Sequence, residues 1–282
     1  MSNLLRAGFV RLFRDKFFFI CTAAMFALGV YIALDQYMAS KQTDWYHPIP
    51  DNIVFLFLGY GGLVYAAFCA LFIGREYSDG TLRNKLMIGH TRDSIYVSNL
   101  IVTAVGNIII TLAYILPAAI ISTSVFGWFQ RPTSFIFITF IALLILAVAY
   151  AAVFTILSLL NSNKAVNAVV CIALAIVLLV AAIAMRDMLY SPESYSTGYI
   201  MEMDENGVIH ETVAPEEPNP YYISGFKRQI VEVLVDLSPG GQSLQLPMFE
   251  NDSPEILALY SVGLTAAVTA IGIVLFRRKD IK

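Results

Sequence analysis

Six long apolar runs restrict the folds that this chain can adopt. Each holds about 20 mostly apolar residues, the length that an α-helix needs to cross a hydrocarbon layer of roughly 30 Å. A soluble core does not require such runs, and soluble domains carry about 25% charged residues, whereas this chain carries 14%. We therefore predict an all-α integral membrane protein with a single transmembrane domain over residues 1–282. Its six transmembrane helices are expected at residues 17–34, 53–73, 95–123, 135–160, 165–185 and 255–276.

The first run is expected to be a retained span. At 17–34 it is longer than the apolar core of a signal peptide, which has about 7–15 residues, and no A-x-A cleavage site follows it. The three cysteines all lie in predicted spans, so we interpret them as packing residues rather than as disulfide partners. The three histidines are far from one another and from every cysteine, and we therefore predict no metal site.

Lysine and arginine are concentrated in alternate connections between the runs. They occur before the first run, in the connections 75–92 and 161–164, and after the last run, and they are sparse elsewhere. The positive-inside rule assigns connections rich in these residues to the cytoplasm. We therefore predict that both termini and the 75–92 connection are cytoplasmic, and that the long connection 186–254 is extracellular.

The 186–254 connection is strongly acidic. Topology and solubility account for that charge, and attraction of a cationic substrate or ion is the alternative. Within it, Asn206-Gly207 between alternating residues is typical of a two-residue hairpin. Residues 225–237 have the apolar spacing of an amphipathic helix that ends at Ser238-Pro239-Gly240-Gly241. This helix is expected either to cap the outer mouth of the bundle or to lie on the outer leaflet.

The segment 1–16 is also amphipathic. Its leucines and phenylalanines recur at helical spacing, and most of its arginines lie on another face. This pattern predicts an interfacial helix that turns into the first span as an elbow. A frayed basic tail that only enforces topology is the alternative.

The spans contain few polar residues, and these are mild. Small and polar side chains inside a membrane either hold helices together or contact a substrate. Either role is open to the candidates for a substrate pathway, which are Asn107, Thr111, Tyr114, Tyr150 and Asn167.

Several kinds of chemistry are absent from the sequence. There is no phosphate-binding Gly-x-x-x-x-Gly-Lys-Ser/Thr loop, no His-Glu-x-x-His and no Gly-x-Ser-x-Gly. The interiors of the spans are almost free of Asp, Glu and Lys, which ion-coupled transporters usually place there. We therefore predict no catalytic residues and no bound cofactor, and a transporter of this kind would draw its energy from a partner.

The polar segment 75–92 has the features of a short helix at 78–89. Ser78 or Asp79 can cap its start, and Gly89 can take the left-handed conformation that ends it. Leu82 and Leu86 lie four residues apart on one face, where two exposed apolar side chains would fit a groove on another protein. A solvated basic loop that serves topology alone is the alternative, in which Glu76 simply pairs with Arg75 or Arg83.

At this segment the chain resembles the permease subunits of bacterial ABC-2 type transporters. The resemblance centres on Glu76 and on Gly80-Thr81-Leu82-Arg83, followed by Arg92. The 1–16 elbow, the stretch 237–242 and the basic ending also look like the family's features. One departure is Gly89-His90, where many members have proline.

The resemblance implies that the 78–89 helix is a coupling helix, which docks on a separate ATP-binding subunit. The implied docking residues are Glu76, Gly80, Thr81, Leu82, Arg83, Lys85, Leu86 and Arg92. It also implies two ATPase subunits that bind ATP and Mg, and a second permease chain that forms a homodimer or a heterodimer with this one.

These features together predict a permease of an ATP-driven exporter in a bacterial cell membrane. Its apolar spans favour an amphipathic or lipophilic substrate such as a drug, an antimicrobial peptide or a lipid. We expect contacts with membrane lipid and none with nucleic acid. The alternative function is a membrane binding, immunity or sensor protein that recognises an extracellular ligand through residues 186–254 without transport.

Overall fold

The computed structural model of this chain describes residues 1–43, 45–196, 198–203, 209–213 and 216–280. This part of the chain is mainly helical. The helices are α1 (Ser2–Leu12), α2 (Lys16–Gln42), α3 (Pro50–Val54), α4 (Gly61–Ser78), α5 (Thr81–Met87), α6 (Arg92–Phe126), α7 (Thr133–Leu160), α8 (Lys164–Tyr190), α9 (Gly225–Leu237), α10 (Pro239–Met248) and α11 (Pro254–Arg278). A 3-10 helix at Leu56–Tyr60 joins α3 to α4.

Six helical segments within the described ranges are long and apolar enough to cross a membrane. Five of them are α2, α6, α7, α8 and α11, and the sixth is the composite segment Pro50–Ser78. Every predicted span lies inside one of these segments, and the segments extend further into polar residues at their ends. The all-α membrane architecture is therefore confirmed.

Four short strands interrupt the acidic connection. β1 (Ser194–Ser196) pairs with β4 (Glu216–Pro218), and β2 (Tyr199–Met203) pairs with β3 (Ile209–Val213), both antiparallel. The predicted turn at Asn206-Gly207 lies outside the described residues, between β2 and β3.

Side chains define where several helices begin. The Asp15 carboxylate accepts hydrogen bonds from the backbone N–H groups of Phe17 at 2.8 Å and Phe18 at 3.1 Å, and so caps α2. The same carboxylate accepts a 2.6 Å bond from Arg75 of α4. This partly buried ion pair positions the turn between α1 and α2 against the end of α4.

The amphipathic helix α9 ends at Leu237, as predicted, but the chain then starts a new helix at once. α10 is almost entirely buried, although its first residues have the composition of a loop. A Cβ at Gly240 would overlap the Leu178 carbonyl of α8, and one at Gly241 would overlap the Val235 carbonyl of α9. The two glycines therefore permit the close packing of α10 inside the bundle.

Candidate functional site

The turn between α4 and α5 depends on Gly80. This residue has a φ of +65° and occupies the N-cap position of α5, where no side chain supplies a cap. The prediction that Ser78 or Asp79 caps this helix is therefore wrong. The Ser78 hydroxyl instead donates to carbonyl groups one turn back in α4, at 3.3 Å to Gly74 and 3.2 Å to Arg75. A glycine suits the turn because other residues rarely adopt a left-handed conformation.

The end of α5 matches the prediction for Gly89. This glycine has a φ of +93°, and its N–H donates to the Leu86 carbonyl at 3.0 Å. The N–H of His90 donates to the Lys85 carbonyl at 3.1 Å, which completes a Schellman motif. The helix has seven residues, Thr81–Met87, and is shorter than the predicted 78–89, because glycine turns at positions 80 and 89 end the helical conformation on either side.

Glu76 is the centre of the site. It lies near the end of α4, is 1% exposed and forms ion pairs with Arg11 of α1 and Lys85 of α5. Its second carboxylate oxygen accepts a 3.1 Å hydrogen bond from the amide of Asn99 on α6. The Arg11 guanidinium also stacks on the Phe72 ring at 4.0 Å. One buried carboxylate thus joins four helices, and removing it would leave two cations unpaired.

The alternative partners considered for Glu76 are wrong. Arg75 is paired with Asp15, and Arg83 is exposed on the opposite side of α5. Thr81 lies beside the cluster, because its hydroxyl donates to the Glu76 carbonyl at 3.2 Å. Sequence reasoning could not identify Arg11 as a partner, since 65 residues separate it from Glu76.

The face of α5 that carries Leu82 and Leu86 points inward. Leu82 is 1% exposed and belongs to the core, and Leu86 is partly buried against that core. The prediction of an exposed leucine pair is therefore wrong, because α5 packs its leucines against the bundle. The apolar residues that α5 and its C-cap expose are Met87, at 69%, and Ile88, at 77%. The sequence does indicate these two residues, because the pair Met87-Ile88 directly precedes the glycine that ends the helix.

Arg92 belongs to a different contact. Its guanidinium donates to the carbonyl oxygens of Phe276 and Lys279, at the end of α11. The Lys279 ammonium donates to the Tyr77 hydroxyl at 2.8 Å and to the Leu159 carbonyl at 2.9 Å. Burial lowers the pKa of Lys279 to about 8. The C-terminal segment is thus attached to the ends of α4, α6 and α7.

A small cavity separates α1 from α5. It has a volume of about 210 Å³ and is lined by Ala7, Gly8, Arg11, Glu76, Thr81 and Lys85. Across this space α1 and α5 are connected by the ion pairs that Arg11 and Lys85 each form with Glu76, rather than by close apolar packing.

The five candidates for a substrate pathway are all buried within the chain. Asn107 donates to the Ala147 carbonyl at 3.0 Å, and Asn167 donates to the Ala70 carbonyl at 2.9 Å. These bonds join α6 to α7 and α8 to α4.

The other three candidates also lie between helices. Thr111 is 2.6 Å from the Tyr65 hydroxyl, Tyr114 donates to the Ile53 carbonyl at 3.2 Å, and the Tyr150 ring tilts against Tyr65. Such contacts hold the helices together. A role for these five residues in a substrate pathway stays a prediction.

In the described part of the chain, no cluster of three or more His, Cys, Asp or Glu side chains could hold a metal ion. The site therefore consists of a charged junction around Glu76 and a short helix with two exposed apolar residues.

The chain matches a known family of membrane proteins. The family described as ABC-2 family transporter protein matches residues 4–182, which is more than half of the 282 residues and includes most of α1, all of α2 to α7 and most of α8. A comparison with curated protein sequences returns no match. The chain therefore belongs to the ABC-2 transporter family and is a multi-pass membrane permease.

Proposed function

We propose that this permease is the membrane subunit of an ATP-driven exporter, and that α5 is the coupling helix through which a separate ATP-binding subunit moves it. The observation that carries the proposal is the exposure of Met87 and Ile88 at the end of a short helix whose other face is tied to Glu76. The family match supports the general role, because ABC-2 permeases work with an ATP-binding partner.

The two faces of α5 support a docking role. A helix of seven residues is too short to be stable alone, so it depends on Leu82 and on the Lys85–Glu76 ion pair. These contacts leave Met87 and Ile88 directed outward, beside the exposed side chains of Arg83 and Asn84. An apolar centre with a polar rim is the arrangement that protein interfaces use.

The orientation in the membrane follows from charge. Lysines and arginines are concentrated at the end of the bundle that holds both termini and α5. We place this end in the cytoplasm, where an ATPase can reach Met87 and Ile88, and we place the acidic connection 186–254 outside a bacterial cell membrane.

The junction around Glu76 offers a route for movement into the bundle. When two ATPase subunits close on ATP, a force on α5 would reach α4 through Lys85 and Glu76, and α1 through Arg11. The segment Pro50–Ser78 is the most buried of the six candidate spans, since 71% of its most apolar stretch lies inside the protein. Its displacement would therefore repack its neighbours. The bundle would then alternate between inward-facing and outward-facing states.

A second permease chain would complete the pathway around a two-fold axis. The most apolar stretches of α2, α8 and α11 are only 22%, 17% and 17% buried in the single chain. These helices therefore have surface available for lipid or for that second chain. We propose an amphipathic or lipophilic substrate, because the surfaces available to it within the membrane are apolar.

Co-purification tests the proposal. The tagged chain is purified from its host membranes with and without the double substitution Met87→Asp and Ile88→Asp, and bound proteins are identified by mass spectrometry. We expect an ABC ATPase with the unsubstituted chain and at least a tenfold loss with the double variant. Phe226→Asp, which changes an exposed apolar residue of α9, is the control and should retain the ATPase. Absence of an ATPase from the unsubstituted chain, or its full retention by the double variant, would refute the proposal.

A further inference from the structure

A cavity of about 320 Å³ lies at the end of the bundle opposite α5. α8 begins at Lys164, which packs beside Gly74 near the charged junction, and its 27 residues extend about 40 Å to the other end. There the cavity, which is open on one side, is lined by the end of α8, by α9, and by α10 with the residues that follow it. Its volume is at the lower end of the roughly 300–1,000 Å³ that is typical of small-molecule sites.

Two ion pairs occupy the wall of this cavity. Arg186 donates through Nε to Glu250 at 2.6 Å, and Arg228 donates through Nε to Glu232 at 3.0 Å. Arg228 also donates to the Leu189 carbonyl at 3.1 Å. Both guanidinium groups therefore already donate to a carboxylate, which leaves them poorly placed to bind an additional anion.

Asp236 supplies the charge that these pairs do not neutralise. Its carboxylate lines the cavity and accepts a 2.9 Å hydrogen bond from the Gln245 amide. Among the described residues, no lysine or arginine forms an ion pair with it. The cavity thus has three carboxylates against two guanidinium groups, and its uncompensated charge is negative.

An aromatic ring completes the wall. Tyr190 already contacts one cation, the Arg186 guanidinium, which lies 5.3 Å from its ring. The side chain is still 63% exposed, so ring surface remains available to a further cationic group in this cavity. A divalent metal ion fits poorly, because no suitable cluster of three ligands occurs in the described ranges. An organic cation needs only a carboxylate for its charge and an apolar or aromatic surface for the remainder.

We propose that this cavity binds a small organic cation with an ammonium or guanidinium group, which Asp236 holds by a charged hydrogen bond and Tyr190 contacts through its ring. The proposal gives a specific site to the negative charge of the 186–254 connection. It does not depend on ATP-driven export, because a cation could bind here whether or not the chain is coupled to an ATPase.

Agmatine is a suitable probe, since it carries a guanidinium and an ammonium group on a short chain. Calorimetry on the purified full-length chain in lipid nanodiscs at 150 mM salt should give saturable binding. Asp236→Asn should weaken it at least tenfold, while Asp236→Glu, which keeps the charge, should retain it within a few fold. Tyr190→Leu should weaken binding, and Tyr190→Phe should preserve it.

Glu217→Gln is the matched control, because it removes one exposed carboxylate of the same connection away from the cavity. It should leave agmatine binding unchanged. The proposal is overturned if agmatine does not saturate, if Asp236→Asn binds it as the unsubstituted chain does, or if Glu217→Gln weakens binding equally. The last result would mean that general attraction by the acidic connection is sufficient. Melting temperatures of each variant identify any loss that comes from misfolding.

Discussion

Lys85 on α5 forms an ion pair with Glu76, which is buried near the end of α4. This pair and the burial of Leu82 together define which face of α5 is directed toward the bundle. With Lys85 directed at the buried carboxylate, Leu82 enters the core, and Met87 and Ile88 are left on the exposed side. The contact therefore links the charge inside the site to the apolar surface that we assign to docking.

The ion pairs at this end of the bundle should differ in their contribution to stability. Glu76→Gln leaves Arg11 and Lys85 without a charged partner at a largely buried site, which should lower the free energy of unfolding by about 3–5 kcal/mol. Asp93→Asn removes the exposed ion pair with Arg277 and should cost about 0–1 kcal/mol. Denaturant titration in detergent micelles measures both changes, and equal destabilisation by the two variants would contradict the central position of Glu76.

Mutations can distinguish the role of the buried face of α5 in stability from the role of its exposed face in docking. Leu82→Ala should destabilise the protein by about 2–5 kcal/mol, because it leaves a cavity in the core. Ile88→Ala should change stability by no more than about 0.5 kcal/mol, since the side chain is exposed, but it should weaken ATPase binding. Unfolding and co-purification are measured on the same preparations. A strong loss of stability from Ile88→Ala would show that this residue is part of the folded core.

The glycines on either side of α5 should resist substitution. Gly80→Ala and Gly89→Ala place a side chain in the left-handed region and should each cost about 1–2 kcal/mol. Gly263→Ala is the control, because this glycine lies within α11 with open space around it, and alanine favours a helix by up to about 1 kcal/mol. Thermal unfolding compares the three variants. If Gly80→Ala is as well tolerated as Gly263→Ala, the turn does not require its positive φ.

The attachment of the C-terminal segment should depend on pH. The pKa of Lys279 is about 8 in the folded protein against an ordinary 10.5, so the unfolded chain binds more protons between these values. The destabilisation caused by burying the ammonium group is fully present below pH 8 and disappears as the pH rises to 10.5. Stability should therefore increase over this window relative to Lys279→Met, which cannot titrate. A constant difference between the two proteins from pH 8 to 10.5 would contradict this prediction.

Membrane orientation can be tested by cysteine labelling. In a background without the native cysteines, Asn84→Cys on α5 should be protected from a membrane-impermeant maleimide in intact cells and should react after lysis. Glu217→Cys on β4 should react in intact cells, because it is exposed at the opposite end of the bundle. Position 205, which lies outside the described residues, should react as well if the 186–254 connection is extracellular. Reaction of Asn84→Cys in intact cells would reverse the assigned topology.

Much of the architecture follows from local sequence patterns. Apolar runs of sufficient length must form spans in a membrane, and all six predicted spans lie within the observed helices. The left-handed glycine at position 89 was recognisable because it follows a short helical pattern and precedes a second cap at Thr91. The stretch around Glu76 carried the resemblance that the family match supports.

The contacts of the site were not recoverable in the same way, because they join residues that are distant in the chain. Arg11 reaches Glu76 only after α1 folds back against α4 and α6. α10 could not be recognised, since the buried partners of Gln242 and its glycines lie on neighbouring elements.

The sequence by itself determined the membrane class, the number of spans and the position of the short polar helix, since these depend on hydrophobicity and turn residues along the chain. Only the tertiary structure decided which face of that helix is exposed. Leu82 and Ile88 are equally apolar, and packing against α4 together with the charge on Glu76 buries one and leaves the other in solvent.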